Sequence, residues 1–156
     1  MAVHVWRIGH NGDLSLSGLA YGSTLGAGRW HLPPPVGAAV VYAGASRALC
    51  QLEKRVHANG VAPIRQALIR LELPETALLQ DARRDLGLSA SWRNQEGYTQ
   101  DLGTRWLRSG AALGLWVPSY VEERECNLLI NPAHRDYAQI RVVVEVQAFE
   151  FDPRLF

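Results

Sequence analysis

Five polar residues stand at the ends or inner edges of otherwise apolar stretches: Arg7, Arg29, Tyr42, Glu53 and Ser119. Gly26 and Gly28 free the backbone to bend just ahead of Arg29, a suitable way to hold a guanidinium over a phosphate. Leu49, Leu52, Glu53 and Val56 recur at i, i+3, i+4 and i+7, so a helix there has one face that is apolar apart from a single carboxylate. A buried acid is costly unless it is paired or put to use. Each residue also has an ordinary structural explanation. Arg7 and Glu53 could form an internal ion pair, Tyr42 a core aromatic, Arg29 a surface charge and Ser119 a turn residue after Pro118. Together, two arginines, an aromatic ring, a carboxylate and a hydroxyl are the parts needed to hold a dinucleotide and act on its ribose. The residues alone do not choose the reaction.

These groups need elements to position them. Val3 to Ile8 alternates as an opening strand that carries Arg7, and His10 to Gly18 is a loop with Asn-Gly and Ser-Gly pairs. Pro33, Pro34 and Pro35 forbid helix and predict an extended connection. Val40 to Ala43 is a short buried strand with Tyr42 near its end. Ser46 is a good N-cap for a helix running to about Asn59, where the Asn59-Gly60 pair stops it. Ile64 to Leu73 alternates as a strand, with Ala67, Ile69, Leu71 and Leu73 on one face. Leu78 to Gln95 is polar and is expected to be loop with at most one helical turn. Thr99 to Ser109 predicts a second helix, with Asp101 and Arg105 at i, i+4 and Gly110 as terminator. Ala111 to Val117 and Asn127 to Asn131 are short buried strands, the first delivering Ser119 at its exit. Gln139 to Phe151 is the longest strand, with Ile140, Val142, Val144, Val146 and Ala148 on one face. A slip of phase near Phe149 predicts a bulge.

The 156 residues suit one domain, 1–156, with a real core, and strands and helices mix without a regular βαβα rhythm, which favours an α+β fold. A net charge of +1 and the lack of a basic run argue against direct nucleic-acid binding. Lys54 is the only lysine among sixteen basic residues, a bias that suits phosphate recognition or simply a GC-rich genome. Two cysteines, Cys50 and Cys126, make no disulfide framework, and no signal peptide or apolar run of ~20 residues is expected, so a cytoplasmic location fits best. Neither a Rossmann fingerprint nor a P-loop occurs, and HExxH, CxxC and GxSxG are missing too. His4, His10, His31, His57 and His134 are too scattered to suggest a metal site, and a Ser119–His134 pair lacks triad spacing.

The order and spacing of several short motifs carry more than any one of them. These are Trp6-Arg7-Ile8, Gly28-Arg29-Trp30, Val41-Tyr42-Ala43, Leu52-Glu53, Leu102-Gly103 through Arg105-Trp106-Leu107, Val117-Pro118-Ser119 and Asn127 to Pro132. In this the chain resembles the RES domain, named for an arginine, a glutamate and a serine, along nearly its whole length. The resemblance implies a fold similar to that of ADP-ribosyltransferase toxins, a single mixed domain with a split β-sheet and flanking helices. It also implies the toxin of a toxin–antitoxin pair, partnered by an Xre-like antitoxin and possible as a homodimer within that complex. NAD is then the substrate, and no resident cofactor, metal or membrane is involved. By position the family's arginine, glutamate and serine fall on Arg29, Glu53 and Ser119 as catalytic residues, with Arg7, Arg29, Tyr42 and Ser119 holding NAD. The implied activity is glycohydrolase or phosphorylase, the alternatives being ADP-ribosyl transfer to a protein and a non-catalytic binding module. The chain departs from the family pattern at His31, where asparagine is usual, at Ala27, and at Tyr120, where a small residue usually follows the serine.

Overall fold

The computed structural model describes residues 2–156. Strands β1 (His4–His10) and β3 (Gln66–Glu72) pair antiparallel over their full length, from His4↔Glu72 to His10↔Gln66, and β7 (Arg141–Phe149) lies on the far edge of β3. A second group comprises β4 (Leu79–Asp81), β5 (Gly114–Pro118), β6 (Cys126–Ile130) and β2 (Val41–Gly44), antiparallel except for the parallel pair β4–β5. One pair, Trp6↔Gly44, joins β1 to β2 and makes a single seven-stranded sheet in the order β4-β5-β6-β2-β1-β3-β7. The expected split is therefore a seam within one α+β sheet.

Helix α1 (Arg47–His57) starts where expected, with the Ser46 side chain accepting from the Leu49 N–H. It ends at His57, ahead of Asn59 and Gly60, which both have positive φ. Helix α3 (Glu96–Ser109) begins earlier than its apolar pattern implies and is closed by Gly110 in the left-handed region, φ 63°. One core face gathers Val5, Ile69, Leu71 and Ile130; another gathers Trp30, Trp92, Trp106, Leu115 and Leu129. A smaller cluster of Ile8, Cys50, Leu68 and Phe151 lies beneath α1.

Four local expectations give way. Residues 78–95 hold β4, a single helical turn α2 (Ala82–Asp85) capped by the Asp81 side chain, and a 3-10 turn at Trp92–Asn94. A three-residue strand is too short to show a period of two; its partner on β5 defines it. The prolines form a turn, closed by Gly37 N–H donating to the Pro33 carbonyl at 2.8 Å. On β7, Val144 and Val146 are exposed because β7 is an edge strand, and its register against β3 shifts between Gln66 and Ile69, near the expected bulge. On α1, Leu52 and Val56 are exposed and only Leu49 and Cys50 are buried, so its inner face is narrower than its apolar spacing implied.

Gly103 lets α3 lie directly on the chain at Trp30, since a Cβ there would run into the Trp30 carbonyl. Alanine would gain about 1 kcal/mol of helix propensity, yet a backbone clash costs about 1–3 kcal/mol or more. Gly103→Ala is therefore expected to lower stability, as a reduced urea midpoint would register. Beside the start of α1, Glu145 accepts from Arg47 Nε at 2.8 Å and Nη2 at 2.7 Å, and from Arg70 Nη1 at 2.8 Å. The hydrogen bonds from Arg47, joined by those from Arg70, bring its carboxyl from 4.5 down to about 2. A depressed folded-state pKa stabilises above the unfolded value, and that stability is lost as pH falls from 4.5 through about 2. The stability gap between wild type and Glu145→Gln should accordingly narrow across that window in acid denaturation.

Candidate active site

A cavity of about 510 Å³ opens at the seam. Arg7 and Ile8 come to it from β1, Tyr42, Ala43 and Gly44 from β2, Cys50, Glu53 and Lys54 from α1, Arg29 from the loop before β2, and Asn127 from β6. Its size is that of a small-molecule site. Four of the five residues singled out by sequence, Arg7, Arg29, Tyr42 and Glu53, line it. Ser119 lies behind the wall.

Glu53 is held from one side. Its Oε1 accepts the Ser119 hydroxyl at 2.6 Å and the Asn127 amide at 2.9 Å, while Oε2 has no hydrogen-bond partner among the described residues. Ser119 is fully buried, and its oxygen also accepts the backbone N–H groups of Val121 at 3.1 Å and Glu122 at 3.3 Å. Its one hydroxyl hydrogen is spent on Glu53. The geometry thus favours Ser119 as a group that positions the carboxylate, in place of the direct substrate contact expected of it. No hydrogen bond joins Ser119 to His134 among the described residues; His134 Nδ1 accepts the Asp136 N–H.

Arg7 does not pair with Glu53. Its Nη1 donates to the Tyr42 carbonyl at 2.9 Å, and burial lowers its pKa with no carboxylate to offset the cost. Lys54 also faces the cavity; burial, then the charge of Arg7, lowers its pKa. Arg29 is held at the cavity mouth, 3.5 Å from Glu96 and with its guanidinium carbon 4.0 Å from the centre of the Tyr120 ring. The wall therefore carries Arg7, Arg29 and Lys54 against one carboxylate and favours an anionic ligand.

The loop that carries Arg29 is pinned by α3 and by His31. Thr99 Oγ1 donates to the Arg29 carbonyl at 2.6 Å, Gln100 to the Gly28 carbonyl at 2.9 Å, and Leu32 N–H to Thr104 at 3.1 Å. His31, 2% exposed, meets the Tyr42 hydroxyl with Nδ1 at 2.6 Å and the Gly28 N–H at 3.2 Å. Two donors on Nδ1 assign the proton to Nε2, which donates to the Ser23 carbonyl at 2.8 Å. Burial raises the Tyr42 pKa, so the phenol stays protonated and serves as donor. Gly28 has no room for a side chain against these two rings.

Sequence reasoning missed Asn127 and Lys54 as wall residues. Asn127 was hidden inside an apolar strand motif, whereas Lys54, the only lysine and adjacent to Glu53, was a visible signal. Tyr120 stands out in the sequence only as a departure from the family pattern, and His31 only as that and as one of five scattered histidines.

Fold and site together define an α+β protein with a cation-lined cleft at a sheet seam. The crystal structure of the M. tuberculosis MbcT–MbcA toxin–antitoxin complex contains a chain of the same fold, with TM-score 0.63 and 18% identity, covering 94% of this chain and 86% of that one. The model of the RES domain matches residues 4–152, and the chain belongs to the RES domain family. Curated relatives include the Prs ADP-ribosylating toxin of Sphingobium sp. (strain YBL2), 35% identical over 99% of this chain and 98% of its own. Toxin Res of Yersinia enterocolitica is 32% identical over 97% and 98%.

Replacing His31 by leucine would strand the Tyr42 hydroxyl and the Ser23 carbonyl, at a cost of about 1–3 kcal/mol for each unsatisfied group. His31→Leu is expected to lose stability on this scale in urea denaturation, and His31→Asn, which keeps a donor and an acceptor, to recover part of it.

Proposed function

We propose that this chain is the toxin of a toxin–antitoxin pair and that it depletes NAD by cleaving the nicotinamide–ribose bond. The observation that carries the reading is Glu53, one oxygen fixed by Ser119 and Asn127 and the other open, in a cavity walled by Arg7, Arg29, Lys54 and Tyr42. The ribose C1–nitrogen bond breaks with its electron pair passing to the nicotinamide ring, which leaves neutral. Such a leaving group needs no proton, so one carboxylate suffices where an ordinary glycosidase uses two. Glu53 holds the ribose hydroxyls and stabilises the oxocarbenium-like charge through its open oxygen. Arg29 and Arg7 clamp the diphosphate by charge-assisted hydrogen bonds, and the Tyr42 ring borders the nicotinamide or ribose.

The acceptor's lone pair then bonds to C1. Water makes the enzyme a glycohydrolase and releases a proton, and phosphate makes it a phosphorylase. A second reading, ADP-ribosyl transfer to a protein side chain, is favoured by the name of the Sphingobium relative. We assign an Xre-like antitoxin as partner, covering the cleft near the arginines, with two toxin copies within that complex. Association with an antitoxin is supported by the MbcT–MbcA neighbour. The substrate pool is the cytoplasmic one.

Purified protein free of antitoxin is expected to release nicotinamide from NAD, with chromatography separating ADP-ribose from its 1″-phosphate to name the acceptor. Glu53→Gln should lower the rate by at least about 10²-fold with an unchanged melting temperature. A fully active Glu53→Gln variant would remove Glu53 from the mechanism, and folded wild type that leaves NAD intact would reject NAD cleavage.

A further inference from the structure

Tyr120 stands out because its ring receives two guanidinium groups. The Arg29 carbon lies 4.0 Å and the Arg93 carbon 4.1 Å from the ring centre. Arg93 Nη1 also donates to the Tyr120 carbonyl at 2.6 Å, and Arg29 Nη1 donates to the Arg93 carbonyl at 3.4 Å, so the three residues form a closed set. Trp92 supports the ring from its edge, with centroids 6.1 Å apart. Arg93 makes no ion pair among the described residues, and the Arg29–Glu96 contact, with Glu96 60% exposed, is loose and screened. Two cations brought to one ring repel each other, and the stacking offsets this only partly. Glu96 beside Arg29 and Glu122, whose pKa the charge of Arg93 helps to lower, compensate the pair only in part and leave room for a further anion.

We infer that Tyr120 is a positioning residue that holds Arg29, braced by Arg93 on the same ring, at the cavity wall for the diphosphate of the ligand. The inference rests on the NAD reading above and deepens it by naming what fixes the arginine. The ring's electron-rich face does this work. The Tyr120 hydroxyl makes no hydrogen bond among the described residues, so phenylalanine should serve equally well. Tyr120 is 42% exposed, which separates positioning from folding: removing its ring leaves the cores intact.

The test compares Tyr120→Ala and Tyr120→Phe with wild type by three readouts, after equal melting temperatures establish folding. The Arg29 Nε–Hε NMR signal, assigned by its loss in Arg29→Lys, should be shifted upfield by the ring in wild type and Tyr120→Phe and return toward the random-coil position in Tyr120→Ala. Inorganic pyrophosphate, followed by tryptophan fluorescence, should bind Tyr120→Ala about three- to tenfold more weakly, with Tyr120→Phe within about twofold of wild type. In turnover of NAD the same factor should appear in KM with kcat little changed, as expected for a group that binds ground and transition states alike. An unmoved Arg29 signal, or pyrophosphate affinity unchanged in Tyr120→Ala, overturns the inference even in an active enzyme. Weakened pyrophosphate binding in a protein that never consumes NAD upholds it and instead rejects the NAD reading.

Discussion

The seam between β1 and β2 is the constraint on which the site depends. A continuous ladder there would fill the space with paired backbone; a single pair, Trp6↔Gly44, leaves it open. Opening a ladder leaves polar backbone groups to be satisfied by other means, at about 1–3 kcal/mol for each buried group left unpaired. Side chains at the seam take this role. The Cys50 thiol donates to the Trp6 carbonyl at 3.0 Å, and Arg7 donates to the Tyr42 carbonyl at 2.9 Å. Gly44 has no Cβ because Cys50 Sγ occupies that volume. Burial raises the Cys50 pKa to about 11, so the thiol keeps the proton that this bond requires. Arg7 thus both closes the seam and supplies a cavity cation.

The remaining walls come from elements distant in sequence that converge on that opening. Helix α1 projects Glu53 across it, and Ser119, just past β5, and Asn127, in β6, hold the carboxylate from the far side. Helix α3 makes no wall of its own and instead grips the loop that does. Thr99, Gln100 and Thr104 bond the backbone of residues 28–32, and Gly103 allows the contact to be close. A loop held at several backbone points keeps its arginine in place at the cavity without burying it completely.

The chain's net charge is only +1, yet three cations and one carboxylate face a single cavity. Several acidic residues sit elsewhere, tied to arginines such as Arg47, Arg84 and Arg124. This uneven distribution of charge sets one cleft apart from the rest of the molecule. Its positive character comes from Arg7 and Lys54, which form no ion pair among the described residues, and from Arg29, whose carboxylate neighbour Glu96 is exposed.

Much of this was legible from residue types and spacing. The N-cap at Ser46 and the stop at Gly110 are local backbone chemistry, and β3 and β5 are written in apolar runs; all emerge within a few residues of expectation. Polar residues at the edges of apolar runs singled out Arg7, Arg29, Tyr42, Glu53 and Ser119, and the motif order carried the family. The three-residue β4, the turn at the prolines, and the exposure of Leu52, Val56, Val144 and Val146 were not legible, because each depends on what a neighbouring element covers. The same holds for the site's inner order. That Arg7 bonds a carbonyl and leaves Glu53 alone, that Ser119 stands behind the carboxylate, and that Tyr120 gathers two arginines are facts of packing between segments 27 to 91 residues apart. Sequence determines which chemical groups a chain possesses and the local turns that present them; only the tertiary structure decides which groups meet, because hydrogen bonds and ion pairs act over a few ångströms whatever the separation along the chain.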